Sequence, residues 1–251
     1  MSPAPLYIDA SPADLQRAFG IADGDLPDAF VVDGRWGFAG HVADVQRTWP
    51  SARAVEERIM LVEVAGRRVW LAAVFGAAQA LTYAHLGLRL GARSLVQIGS
   101  FGGLADGWAV GDVFVPSSVV GRDGVSHQLT QGAAVTPDPS LGDRLRRALA
   151  AAAMEVRAGT LVTTTSIALE RHADISRWRR AGYAGVDMET AATLAMAAQE
   201  GVPAAAALYL IDNLADDHTV FDQTDDERMR TRFARDAILR AAVASVIQSV
   251  S

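Results

Sequence analysis

Two short segments place acids where α/β proteins hold ligands. The run Val186-Asp187-Met188-Glu189-Thr190-Ala191-Ala192 puts a carboxylate at the start of an Ala-rich helical stretch. The run Ile211-Asp212-Asn213-Leu214-Ala215 puts another at the end of an apolar stretch, 204–211, that reads as a buried strand. Helix N-termini and the carboxyl ends of strands are favoured ligand positions. Acids at both suit a substrate with hydroxyls for one carboxylate and a group to be protonated by the other. Taken singly, Glu189 also reads as an ordinary first-turn acid, and Asp212 as an N-cap or turn residue.

A third segment, Gln97-Ile98-Gly99-Ser100-Phe101-Gly102-Gly103-Leu104, reads as a strand running into a glycine-rich turn. Glycines let backbone N–H groups approach an anion, and Ser100 adds a hydroxyl. The segment lacks the Gly-Lys-Ser/Thr ending of a P-loop and the Gly-x-Gly-x-x-Gly dinucleotide pattern.

The elements that must position these residues alternate. Short apolar runs at 69–75, 94–98, 113–115, 161–164 and 204–211 predict buried strands, with weaker signals at 29–32 and 59–64. Helical patterns lie between them: Leu81, Ala84 and Leu88 on one face ending at Gly91, then 141–154, 189–200 stopped by Gly201, and 225–248. The last carries Met229, Phe233, Ala237 and Ala241 at steps of four. Alternation of this kind predicts a single α/β domain, 1–251, with a central sheet covered by helices on both faces.

The chain has 251 residues, 50% of them hydrophobic, which suffices for one core. The net charge of −6 disfavours nucleic acid and anionic membranes as partners. There is no cysteine, so neither a disulfide framework nor a thiolate nucleophile is available. The start of the chain, with Asp9 and Asp14, does not read as a secretory leader, and no apolar run approaches a membrane span. A cytoplasmic protein is the expectation.

Taken in order, these segments resemble the nucleoside phosphorylase family of the purine-nucleoside/uridine phosphorylase type, which includes related nucleosidases. Val74-Phe75-Gly76-Ala77-Ala78-Gln79 resembles the family's glycine turn before a long helix. Gln97–Leu104 followed by Val110-Gly111-Asp112-Val113-Phe114-Val115-Pro116 resembles its phosphate strand and Val-Gly-Asp strand. Residues 186–192 resemble its Glu-Met-Glu ribose motif, with Asp187 in first place, and 211–215 resemble the Ser-Asp-Asn-Leu-Ala segment of purine-type members. The resemblance spans about 29 to 245.

The resemblance implies that the central sheet is mixed and that the protein cleaves an N-ribosidic bond. It gives Glu189 the ribose hydroxyls, kept ionised by a helix N-terminus, and places Met188 under the sugar. It makes Asp212 the acid at purine N7. The base is expected near Thr165, Ser166 and Ile167; the Gln/Arg pair of pyrimidine-type relatives finds no counterpart. The phosphate site would comprise Gly99, Ser100, Gln97 and Arg35, with Arg58 lent by a neighbouring subunit. His127 would approach the nucleoside 5′ end across a dimer interface. No cofactor or metal is implied; phosphate is the co-substrate, and a homo-oligomer, dimer or hexamer, is expected.

Two departures qualify this. Gln97 stands where the family carries its principal phosphate arginine, and an amide supplies no charge and no bidentate fork. Val31-Val32-Asp33-Gly34-Arg35-Trp36 replaces the Gly-Asp-Pro-x-x-Arg loop, with Arg35 early in register. Phosphorolysis is therefore the first expectation. A nucleosidase using water, and a nucleoside-binding protein that has lost turnover, are the alternatives. His218 with Asp216, Asp217 and Asp222 reads as a solvated acidic loop rather than a metal site.

Overall fold

In a computed structural model that describes residues 6–248, the chain folds around one eleven-stranded mixed sheet. The strands are β1 (Ala29–Gly34), β2 (Arg53–Glu56), β3 (Ile59–Val64), β4 (Arg67–Val74), β5 (Leu95–Gly103), β6 (Val113–Phe114), β7 (Ser118–Gly121), β8 (Val156–Arg157), β9 (Thr160–Thr163), β10 (Tyr183–Asp187) and β11 (Ala204–Asn213). The helices are α1 (Pro12–Phe19), α2 (Phe38–Thr48), α3 (Ala77–Arg89), α4 (Gly124–Thr130), α5 (Pro139–Ala151), α6 (His172–Arg180), α7 (Thr190–Gln199) and α8 (Asp225–Ile247). The expected mixed α/β architecture is found, and every predicted strand and helix lies within one of these elements or overlaps it. Strands β2, β7, β8 and β10 and helices α1, α2, α4 and α6 add to the expected set.

Strand residues alternate between two buried faces, as a sheet covered on both sides requires. Phe30 and Val32 of β1 pack with α1, α3 and α7, while Ala29 and Val31 pack with α2, α5 and α8. Local signals set the helix ends. Asp138 caps α5 by accepting from Leu141 N, with Pro139 at the first helical position. Thr224 and Glu227 form a capping box at the start of α8. The step-of-four pattern on α8 is half used: Ala237 and Ala241 are buried, but Met229 and Phe233 are 63% and 61% exposed because the first turns extend past the core. Among the described residues no helix is long and apolar enough to cross a membrane.

Strand β5 is where the sheet branches. Its outer edge pairs with β11 along its length, from Leu95↔Ala204 to Gly103↔Asn213. On the other edge β1 runs parallel only as far as Gly34↔Gly99, and β10 joins antiparallel only at Gly102↔Val186. Ser100 and Phe101 therefore lack a strand neighbour on that side, and a cavity opens there. The predicted glycine-rich turn is thus corrected: Gly99–Gly103 are extended strand. They are glycines because neighbours press close. A Cβ on Gly99 would lie 3.0 Å from Gly34 O, and one on Gly103 2.8 Å from Asn213 Oδ1.

The same closeness fixes β10. A Cβ on Gly185 would lie 2.4 Å from the Phe101 ring. That ring is wedged against Trp108 and Phe114, each 5.2 Å away between centroids, so it has no room to retreat. Gly185→Ala is expected to destabilise the protein by about 1–3 kcal/mol through overpacking. Chemical unfolding measures this; an unchanged midpoint would mean that the aromatic wedge is looser than its geometry indicates.

Candidate active site

The cavity at the branch of β5 holds about 320 Å³. Its walls bring together residues far apart in the chain: Gly34 and Arg35, Ser100, Ile167, Met188 and Glu189, and Asp212. Trp36 and Phe75, with ring centroids 4.5 Å apart, stand at its rim.

Asp187 ends β10 and ties that strand to its neighbours. It accepts from Thr163 Oγ1 at 2.6 Å, from Thr190 N at 2.9 Å and from the Thr190 hydroxyl. Thr163 Oγ1 in turn accepts from Ala191 N, closing the first turn of α7 against β9. Glu189 stands at the N-cap position of α7 without a side-chain capping bond, and its carboxylate crosses the cavity wall to accept from Gly76 N at 2.7 Å. Gly76 adopts a φ of 80°, which turns its N–H toward that carboxylate at the start of α3. Gly34 makes room: a Cβ there would lie 2.8 Å from Glu189 Oε2.

Burial, and then the charge of Asp187, push the Glu189 carboxyl well above the usual carboxylate range. This corrects the expectation that the helix N-terminus keeps Glu189 ionised: desolvation and a second acid outweigh the helix. Asp187 is likewise raised by burial, despite its donors. Asp212 follows a bulge in β11, where it pairs with Gly102. Burial pushes its carboxyl up to about 6, opposed by the Val220 N–H and by His218. Met188 Sδ accepts from Ile167 N at 3.4 Å and so links the acidic turn to the loop after β9.

The other predicted residues are dispersed. Gln97 is fully buried outside the cavity lining, donating to Ile98 O at 2.8 Å and accepting from Thr193 Oγ1 at 2.7 Å. Gly99 lies beneath it in the strand pair with Gly34. Arg58 sits in the turn between β2 and β3, its backbone N–H bonded to Glu56, away from the cavity of its own chain. His127 is exposed on α4, a helix rather than the expected loop. Thr165 is exposed, and Ser166 caps a short 3-10 turn, Ile167–Leu169, by accepting from Ala168 N; neither lines the cavity, whereas Ile167 does. His218 contacts Glu227 Oε1 at 3.4 Å.

Arg35 is the sole cation lining the cavity among the described residues. Its Nη1 lies 3.1 Å from Asp44 and 3.3 Å from Asp33, so it is already engaged. Sequence reading missed Asp44, which holds this arginine from α2, and His41, which bonds its other partner, Asp33, at 2.8 Å. It also missed Glu170, which lines the cavity beyond Ile167. Nothing in the motifs marks Glu170; only the fold brings it next to Asp212.

A sequence model of the phosphorylase superfamily matches residues 36–244. No curated protein matches the chain. Among solved structures, a uridine phosphorylase from Vibrio fischeri ES114 superposes with a TM-score of 0.78, covering 99% of this chain and 98% of that one, at 16% identity.

The raised Asp212 carboxyl has a measurable consequence for stability. The folded state holds this proton more tightly than the unfolded chain, whose value is 3.8, so stability is lost as pH rises through about 6. Asp212→Asn is expected to raise stability at pH 7.5 by up to about 3 kcal/mol and to change it little at pH 4. Denaturant unfolding at both pH values checks this. A difference that does not grow with pH would place an unstrained, ionised Asp212 in the cavity.

Proposed function

The chain belongs to the phosphorylase superfamily, and from that premise we propose that it cleaves the N-ribosidic bond of a purine nucleoside with phosphate as acceptor. The supporting observation is that Glu189 and Asp212, acids from two distant segments, line one cavity with Met188 and Ser100. Bond cleavage builds positive charge on the ribose and negative charge on the base, and preorganised groups at each end lower the barrier. Glu189 takes the two ribose hydroxyls. Their donors replace missing solvent and return the carboxyl to its ionised form. Met188 packs under the sugar. Asp212, protonated below about 6 in the empty site, gives a proton or hydrogen bond to N7 of the departing purine. Ile167 covers one face of the base.

Ser100 and Arg35 are the acceptor-side groups of the same chain. Arg58 and His127 lie outside its cavity and would serve a site only in a homo-oligomer, where a second copy presents them. One observation favours water as the acceptor instead: the Arg35 guanidinium is matched by Asp33 and Asp44, and buried Gln97 brings no charge. Base release from a nucleoside panel, with and without phosphate, decides between the two. Release only with phosphate establishes phosphorolysis, release without it a nucleosidase, and binding without release a protein that has lost turnover.

Asp212→Ala is expected to slow purine release by about 10²- to 10⁴-fold. In the unsubstituted protein kcat/KM should fall as pH rises above about 6, because the acid form of Asp212 is consumed. A folded Asp212→Ala variant with full turnover would remove Asp212 from the mechanism.

Glu189→Gln should impair ribosides more than 2′-deoxyribosides, since the carboxylate meets the 2′-hydroxyl only in the former. A charge-assisted bond contributes about 1.5–3 kcal/mol. Equal losses in kcat/KM on adenosine and 2′-deoxyadenosine would argue that Glu189 is structural.

A further inference from the structure

Glu170 follows the short turn Ile167–Leu169 and lines the cavity on the side of Asp212. Its surroundings are unusual for a partly buried carboxylate. Among the described residues no hydrogen bond or ion pair reaches its side chain. The charges it meets are acidic: Asp212 at the end of β11 and Asp174 in the first turn of α6. Asp174 is itself bonded to Arg177 at 2.6 Å, and the charge of His218 acts on Asp212. Burial, then Asp212 and Asp174, push the Glu170 carboxyl up to about 7. A carboxylate left without donors in a ligand cavity carries a desolvation cost that a donor on the ligand removes.

We propose that Glu170 reads the edge of the leaving base, accepting a hydrogen bond from an amino substituent beside the ring nitrogen that Asp212 serves. The proposal rests on the cleavage of N-ribosides put forward above and names the substrate class within it: amino-substituted bases, of the 6-aminopurine kind, over 6-oxo bases. The discrimination follows from donor and acceptor inventory. An amino group donates to an ionised carboxylate. A ring carbonyl presents an acceptor to an acceptor, and it is tolerated only when Glu170 is protonated. Preference for the amino base therefore grows as pH rises through about 7, the value to which Glu170 is raised. Glu189, which meets the sugar common to both substrates, cancels in their ratio, and ionised Asp212 acts in the same direction as Glu170 by raising it.

The test compares kcat/KM for adenosine and inosine between pH 6 and 8, in the unsubstituted protein, Glu170→Gln and Glu170→Ala. It is paired with calorimetric binding of free adenine and hypoxanthine. The expected result is an adenosine-to-inosine ratio of about tenfold or more that climbs with pH. In Glu170→Gln, whose amide both donates and accepts, the ratio should fall toward unity and climb less steeply with pH. Unchanged ratios and unchanged adenine binding in both folded variants would overturn the proposal and leave Glu170 a rim acid. If no nucleoside is cleaved, with or without phosphate, the cleavage reading falls on that result. The free-base measurements still decide Glu170: equal affinity for adenine and hypoxanthine at pH 8, or adenine binding indifferent to Glu170→Gln, rules out its role.

Discussion

Asp187, Glu189 and Asp212 are each about 5% exposed around one cavity, and keeping three carboxyl groups out of water is costly unless donors meet them. The surrounding architecture supplies those donors unevenly. Asp187 receives two hydroxyls and a backbone N–H, which makes it a strut between β9, β10 and α7. Glu189 receives the Gly76 N–H at one oxygen and is crowded by Gly34 at the other. Asp212 receives little beyond the Val220 N–H. Asp187 is raised by burial despite its donors, Glu189 by burial and then by the charge of Asp187, and Asp212 by burial alone.

The branching of β5 is the means by which this charge is gathered. Because β1 departs after Gly99 and β10 arrives at Gly102, the ends of β1, β5, β10 and β11 converge on one gap. Close packing of glycine backbones lets the acids approach it. Gly34 faces Glu189, and Gly102 faces Asp212 with 3.1 Å between a would-be Cβ and the carboxylate. Side chains at these positions would fill the space the acids occupy. The glycines therefore serve packing, and the anion-cradling turn expected of them is absent because residues 99–103 continue strand β5.

The sequence made the elements legible where period and burial agree. Strand β11 opens with an apolar run, 204–211, set between Pro203 and Asp212, so its carboxyl end could be read with the acid it presents. The short strands β2, β7 and β8 are edge or near-edge pieces whose mixed polarity carries no such signature. The site was legible to the extent that its residues share a segment with an element end, as Met188, Glu189 and Asp212 do. Glu170 was not, because it follows an irregular loop and acquires its environment from Asp212, which is distant in sequence. Gln97 misled for the converse reason. Alternation along β5 places its neighbour Ile98 against α5 and α8, and Gln97 itself against Thr193 of α7, where it bonds within the core instead of facing a ligand.

The acceptor side turns on the same physics as the acidic side. A buried guanidinium needs counter-charge, and Arg35 finds it in Asp33 and Asp44. Those acids are in turn shared: Asp44 meets Arg47 and Arg235 at 3.0 Å each, and Arg47 reaches Asp236 at 2.7 Å. Burial opposes the charge on Asp33, but the bond from His41 and the charges of His41, Arg35 and Arg235 outweigh it and hold the carboxyl below its usual range. Three arginines and three aspartates, with His41 bonded to Asp33, thus close a network between β1, α2 and α8. Such a network orients Arg35 rigidly at the cavity wall, yet it cancels most of the field with which a lone arginine would draw in a phosphate dianion. A phosphate that binds here must compete with Asp33 and Asp44 for the guanidinium or recruit a cation from outside the chain. Water, being uncharged, makes no such demand on the guanidinium.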